Sequence, residues 1–274
     1  MEEVDKESVL QYINGQGPIT TFWHLKFGTL TGFYRFAMCR RYVNRCPLPA
    51  IVPKRPSAYV PYIYTAAEMR LLLGGIDKVC AHAKCKLDAK TFRTLLLLLW
   101  GSGLRVGEAL NLTLSNVDLP NRVLTIRDTK FYKSRLVPID PKIAKAMTSY
   151  AQVRRKRPRT DGKDSPFFTT PSGNFGLHIL ESYFRKLCNS VGVVRTDGAR
   201  YQPRLHDIRH AFATTKILSW YEAGMDVQKL LPSLSTYMGH GSLNATQRYL
   251  SMTPEVLRAA CSRFEKYALE VHDE

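Results

Sequence analysis

The sequence predicts a mainly α-helical chain with one small antiparallel β-sheet. Three observations carry that prediction. Most of residues 62–274 group into helix-length segments separated by Gly and Pro breaks. Only one region, about 116–139, alternates with period two and is rich in β-branched residues. No internal repeat or low-complexity tract interrupts the chain, and 45% hydrophobic content is ample for a packed core.

Taken in order, residues 1–46 carry helical patterning with aromatics interleaved among basic groups, as in Phe22-Trp23-His24-Leu25-Lys26-Phe27. Residues 47–61 are punctuated by Pro47, Pro49, Pro53, Pro56 and Pro61. Proline fixes φ and removes backbone donors, so an extended linker is expected there. The larger domain, 62–274, opens on Thr65-Ala66-Ala67-Glu68, a capping box before an apolar run. A helix should follow to about Gly74, and another over 89–100, broken by Gly101 and Gly103. A short strand near 116–119 and a hairpin of 122–127 with 135–139 complete the sheet. Helices are expected near 141–157, 177–191, 206–221, 227–231, 234–238, 245–250 and 254–268. The last is amphipathic, with Val256, Leu257, Ala260, Phe264, Tyr267 and Ala268 at helical spacing.

Charge narrows the function. The formal net charge is +17 and the isoelectric point about 9.7. Such a chain is suited to a polyanion, and nucleic acid is the expected partner. The N-terminus lacks an apolar signal region, and the longest apolar run, 95–100, is too short to span a bilayer. A cytoplasmic protein is expected, with its six cysteines as free thiols. Cys80, His82 and Cys85 superficially offer metal ligands. No second Cys/His pair lies at zinc-site spacing, so no metal or other cofactor is expected.

The chemistry-bearing residues fall in three clusters. The first is Gly103-Leu104-Arg105-Val106-Gly107-Glu108, the second His206-Asp207-Ile208-Arg209, and the third Met238-Gly239-His240, with Tyr249 nine positions after His240. A tyrosine attacks a phosphate, arginines clamp its oxygens, and histidines move protons. Between the first two lies Thr129-Lys130-Phe131-Tyr132-Lys133-Ser134-Arg135-Leu136-Val137-Pro138. In this order and spacing the residues resemble the tyrosine recombinases, the phage-integrase family. The likeness runs from about Tyr62 to the C-terminus and, more weakly, back to the N-terminus.

That resemblance implies a site-specific recombinase or integrase of chromosomal or mobile-element DNA. It would cleave and rejoin duplex DNA through a covalent 3′-phosphotyrosyl intermediate. Tyr249 is then the nucleophile, and Arg105 and Arg209 the phosphate clamp. Lys130, rather than Lys133, is the acid for the leaving 5′ oxygen. His206 assists proton movement at Tyr249, and His240 bonds a non-bridging oxygen. Glu108 orients His206 or Arg105. His210, pointing away from Arg209 on its helix, is read as packing. DNA-backbone contacts are expected from Lys54, Arg55, Lys133, Arg135, Arg154, Arg155 and Arg157. The resemblance also implies a tetramer on DNA, and no membrane or small-molecule substrate. Residues 1–46 would be a shortened form, about half the usual length, of the family's helical DNA-binding domain. The 31 positions from Arg209 to His240 exceed the spacing in many family members. A different reading of the same basic chain is a DNA-binding regulator or decoy without productive recombination.

Overall fold

The computed structural model describes residues 4–56, 59–81, 85–127, 134–157, 162–199, 201–251 and 253–262. The chain divides into two compact units, Met1–Val60 and Pro61–Glu274.

The first unit holds helices α1 (Lys6–Asn14) and α2 (Thr21–Cys39). Asp5 caps α1 by accepting from the Ser8 amide at 2.6 Å, and Thr20 caps α2 by accepting from the Phe22 amide at 3.2 Å. Val9, Ile13 and Trp23 are buried together, with Phe27, Leu30 and Leu48 against them. The Trp23 indole donates to Asn14 Oδ1 at 2.9 Å, which satisfies the one polar atom of that ring. The opposite side of α2 leaves Phe22, Leu25, Phe33 and Phe36 exposed. Between α2 and the next helix, none of the described residues is helical or in a strand.

The second unit begins with α3 (Ala66–Cys80). Its capping box forms as the sequence indicates: the Glu68 amide donates to Thr65 Oγ1 at 3.2 Å, and the Thr65 amide donates to Glu68 Oε2 at 2.8 Å. The helix runs past Gly74, where a stop was expected. At the following residue, Gly75, an added Cβ would lie 2.4 Å from Val191 Cγ1 and 3.1 Å from Leu187 Cδ1. That glycine serves close packing against another helix and does not break this one. Next come α4 (Ala89–Ser102) and the short α5 (Val106–Leu110). Gly103 ends α4 in the left-handed region at φ 59°, the usual way to close a helix.

The sheet has strand order β1-β2-β3, all antiparallel: β1 (Val117–Asp118), β2 (Val123–Ile126) and β3 (Arg135–Pro138). Leu124 faces Val137 and Ile126 faces Arg135 across the β2–β3 ladder. Leu124, Ile126 and Val137 are buried, whereas Leu136 is 66% exposed, so the odd-numbered positions of β3 point inward.

Helices α6 (Pro141–Arg154), α7 (Leu177–Ser190), α8 (Asp207–Glu222), α9 (Val227–Met238) and α10 (Asn244–Gln247) follow. A 3-10 turn, Arg248–Ser251, comes next, and residues 254–262 are helical. Helix α4 is central, with Phe92, Leu95, Leu96, Leu98 and Leu99 buried and α3, α6 and α8 packed on it. A second cluster joins Phe212, Ile217, Leu231, Leu234, Met238, Tyr249 and Val256. Val256 therefore docks the start of the C-terminal helix on its own chain, while residues 263–268 of the expected helix lie outside the described residues.

A further expectation is corrected. Residues 227–238 form one helix, not two, despite Pro232 inside it. An interior proline removes a helical hydrogen bond and costs roughly 3 kcal/mol. Val227, Leu231, Leu234 and Met238 recur on one buried face across it. Burying a large aliphatic side chain yields about 1.5–3 kcal/mol each, which outweighs the defect.

Candidate active site

Arg105 is the N-cap residue of α5. Its backbone N–H donates to Glu108 Oε2 at 3.0 Å and its Nη1 to Glu108 Oε1 at 2.7 Å, while Nη2 reaches the Gly239 carbonyl at 2.8 Å. The side chain is still 34% exposed. Arg209, on the first turn of α8, is only 3% exposed. Its Nη1 donates to the Gly103 carbonyl at 2.7 Å and its Nη2 to the Met238 carbonyl at 2.6 Å. Burial, followed by the nearby Arg105 charge, lowers its pKa to about 10, so it remains cationic at neutral pH.

Gly103 lets these parts meet. An added Cβ there would sit 2.3 Å from the Phe212 ring, so α8 approaches the end of α4 closely enough for Arg209 to reach that carbonyl.

Glu108 is shared by two arginines. Besides Arg105 it accepts from Arg135 Nη1 at 3.0 Å and from Arg135 Nη2 at 2.7 Å. Desolvation alone would push this carboxyl up. The Arg135 hydrogen bonds, joined by the Arg105 backbone and side chain, outweigh it and hold the pKa at about 2. Glu108 thus holds both the backbone and the side chain of Arg105 by hydrogen bonds.

His240 follows Gly239, which closes α9 in the left-handed region at φ 66°. Its Nδ1 hydrogen-bonds Thr246 Oγ1 at 2.7 Å, which fixes the ring. The imidazole stacks on Tyr249 with centroids 6.1 Å apart and planes 24° from parallel. Burial first, and then Arg209, press its pKa down to about 4, so the ring is neutral at physiological pH. His206 is the residue just before α8. Desolvation and then Arg209 lower its pKa as well.

Tyr249 sits in the 3-10 turn and is 2% exposed. Desolvation raises its pKa, and Arg209, Arg248 and Arg105 pull in the opposite direction. The structure therefore brings Arg105, Arg209, His206, His240 and Tyr249 around one place, from the ends of α4, α8 and α9 and the turn after α10.

His210 belongs to the same group. It is buried, as packing requires, but what it packs against are the rings of His206 at 5.3 Å and Tyr249 at 5.7 Å. Its Nδ1 is buried without a hydrogen-bond partner, and burial followed by His206 pushes its pKa to about 3. The i to i+4 spacing from His206 places it on the same helix face, a signal that its angle to Arg209 alone hides.

Three expected DNA contacts are corrected. Arg135 is 10% exposed, with its guanidinium spent on Glu108 and on the Tyr237 carbonyl at 2.9 Å. Arg154 turns inward and donates to the Pro166 carbonyl through Nε at 3.1 Å and Nη2 at 2.7 Å. Arg157 is 7% exposed and pairs with Asp88 at 3.0 Å. A buried guanidinium needs partners for its donors, and these three find them within the protein. Arg155 at the end of α6 is exposed, as are Lys54 and Arg55 in the first unit. Lys130 and Lys133 lie outside the described residues.

Comparison with known proteins gives the family of the chain. The family model described as "Phage integrase family" matches residues 68–255. This chain belongs to that family. It is a tyrosine recombinase, an enzyme of DNA strand cleavage and rejoining. It is 37% identical over 246 residues to a putative integrase/recombinase of Sinorhizobium fredii, covering 89% of this chain and 78% of the relative. It is 29% identical over 252 residues to tyrosine recombinase XerC of Chlorobaculum tepidum, covering 87% and 71%. Among solved structures, the Tn1549 transposon integrase in complex with transposon right end DNA aligns at TM-score 0.70 and 17% identity, covering 98% of this chain and 87% of that one. The XerA recombinase aligns at TM-score 0.58 and 22% identity, covering 95% and 83%. These two show the shared fold. Among the described residues no helix is long and apolar enough to cross a membrane, and no cluster of three His, Cys, Asp or Glu could hold a metal ion.

Proposed function

We propose that this tyrosine recombinase cuts its DNA with Tyr249, under a clamp formed by Arg105 and Arg209. The observation that carries the reading is one tyrosine with His210 and His240 against its ring, His206 against His210, and the charges of Arg105 and Arg209 acting on it. The Tyr249 oxygen forms a bond to the scissile phosphorus, and the bond from phosphorus to the 5′ oxygen breaks. The phenolic proton passes to His206, and Lys130 supplies a proton to the departing 5′ oxygen. Arg105 and Arg209 neutralise the charge that grows on the non-bridging oxygens, and His240 donates to one of them. The phosphodiester bond energy is kept in the phosphotyrosine, so a 5′ hydroxyl can later reverse the step and rejoin a strand without ATP.

Duplex DNA is the substrate, in keeping with the net charge of +17. Residues 1–46 would act as a helical DNA-binding part and 47–61 as its linker. Their exposed Lys54 and Arg55 suit backbone phosphates. Assembly as a tetramer on DNA and a cytoplasmic setting complete the reading. The test is covalent capture. Wild-type protein is mixed with nicked duplexes of random sequence, and DNA joined to protein is recovered from a denaturing gel. An adduct lost in Tyr249→Phe supports the reading. Tight binding with no adduct from the wild type would instead favour a regulator that does not cleave.

A further inference from the structure

The carbonyls at the end of α9 are all accounted for. A helix leaves its last carbonyls without intrahelical partners and presents the negative end of its dipole there. Here the Ser235 carbonyl accepts from the His240 amide at 3.0 Å and the Thr236 carbonyl from the Gly239 amide at 3.0 Å. The next three carbonyls each accept from a different arginine. Tyr237 takes Arg135 Nε at 2.9 Å, Met238 takes Arg209 Nη2 at 2.6 Å, and Gly239 takes Arg105 Nη2 at 2.8 Å. These arginines come from β3, α8 and the start of α5, so one helix end gauges the position of all three.

Arg135 differs from the other two. Its Nε, Nη1 and Nη2 are each engaged, and the side chain is only 10% exposed. It grips Glu108 with two nitrogens and α9 with the third, and Glu108 in turn holds Arg105. The fit is close: a Cβ on Gly239 would lie 2.6 Å from Arg135 Nη1. We propose that Arg135 is a positioning residue for DNA cleavage: by tying the end of α9 to Glu108 it sets where Arg105 and Arg209 stand, and it does so without touching DNA. This rests on Arg105 and Arg209 being the phosphate clamp. Only a guanidinium fork meets a carboxylate with two donors while a third nitrogen reaches a carbonyl, and a lysine ammonium lacks that planar geometry. Displacing catalytic groups by about 1 Å costs about 10²-fold in rate, which is the scale expected when this tie is cut.

The experiment uses the full chain and a nicked duplex first recovered by covalent capture with the wild type. Single-turnover cleavage, DNA affinity and its salt dependence are measured for Arg135→Ala, Arg135→Lys, Arg105→Ala and the double variant Arg105→Ala/Arg135→Ala. Arg135→Ala should cleave about 100-fold more slowly. Its affinity should stay within about threefold of wild type, with an unchanged salt slope, because no phosphate contact is lost. Arg135→Lys should recover less than about tenfold of the rate. The double variant should be less than about tenfold slower than Arg105→Ala alone, because Arg135 works through the clamp already removed. Fully multiplied rate losses would overturn the proposal, as would near-normal cleavage by Arg135→Ala or a salt slope reduced by about one. Should Arg135→Ala not fold, the same cycle is run with Arg135→Lys: non-multiplying losses support the proposal and fully multiplied losses overturn it. Failure of the wild type to form any adduct would strike the proposed function instead, so the two failures are distinguishable.

Discussion

Replacing Arg209 with alanine removes a buried cation and two strong hydrogen bonds at once. The carbonyls of Gly103 and Met238, now served at 2.7 and 2.6 Å, both lose their donor. An orphaned buried acceptor costs about 1–3 kcal/mol, so the fold should lose on the order of 2–6 kcal/mol from these two. For a unit of this size each kcal/mol lowers the melting temperature by roughly 2–4 °C. The chemical step should lose about 3–4 kcal/mol of transition-state stabilisation, a rate loss of about 10²–10³. Arg105→Ala makes the comparison. Its side chain is 34% exposed and serves a single carbonyl, so its melting temperature should fall much less while its rate falls as far. Both variants are assayed by single-turnover cleavage well below their melting temperatures, alongside thermal unfolding. If the rate of Arg105→Ala drops less than tenfold, or if rate loss simply follows melting temperature across the pair, the guanidinium groups are structural props and not a clamp.

Tyr249→Phe should abolish the covalent adduct and leave affinity and melting temperature nearly unchanged, since the ring keeps its packing. An adduct that persists would assign the nucleophile elsewhere. Lys130→Ala should be rescued by sulfur in place of the 5′ bridging oxygen, because a thiolate departs without a proton, while Lys133→Ala should gain little. Equal defects on both substrates would remove Lys130 as the acid. Glu108→Gln tests a stability linkage. The folded pKa near 2 lies below the ordinary carboxyl value of 4.5, so the charged form stabilises the fold above pH about 4.5, and this is lost as pH falls towards 2. The shift corresponds to about 3 kcal/mol, so denaturant unfolding should show that gap at neutral pH and see it close in acid. A gap that does not change with pH would refute the linkage.

Much of the fold was legible because single residues announce it. Thr65 with Glu68 marks a helix start, and Gly103 marks an end. The alternation in β3 predicts a strand and also carries a second message that the charge obscures: Arg135 shares a face with the buried Val137. Reading Arg135 as a DNA contact weighs its charge and ignores its register. Pro232 misleads for the opposite reason: it has a strong local preference that the buried face of α9 overrides. Arg154 and Arg157 show the same limit, since a run of bases gives no sign of which members turn inward to Pro166 and Asp88. The residues that lie together at the ends of α8 and α9 are picked out in the sequence by type and spacing. What joins them was invisible, because the carbonyls of Tyr237, Met238 and Gly239 belong to the backbone and leave no mark in the alphabet of side chains.

The burial of Tyr249 bears on how such a protein ages. Its ring lies in the cluster with Phe212, Met238 and Val256, so the oxygen proposed as the nucleophile hangs from a piece of the core. Cutting an aromatic core residue back to alanine typically costs about 3–5 kcal/mol through the cavity it leaves. Most substitutions here would therefore remove the protein along with its activity. Phenylalanine alone takes away one oxygen and keeps the shape. A lineage that silences this enzyme yet retains it as a folded DNA-binding protein has a narrow exit at this position, and a descendant carrying phenylalanine there would bear the signature of having taken it.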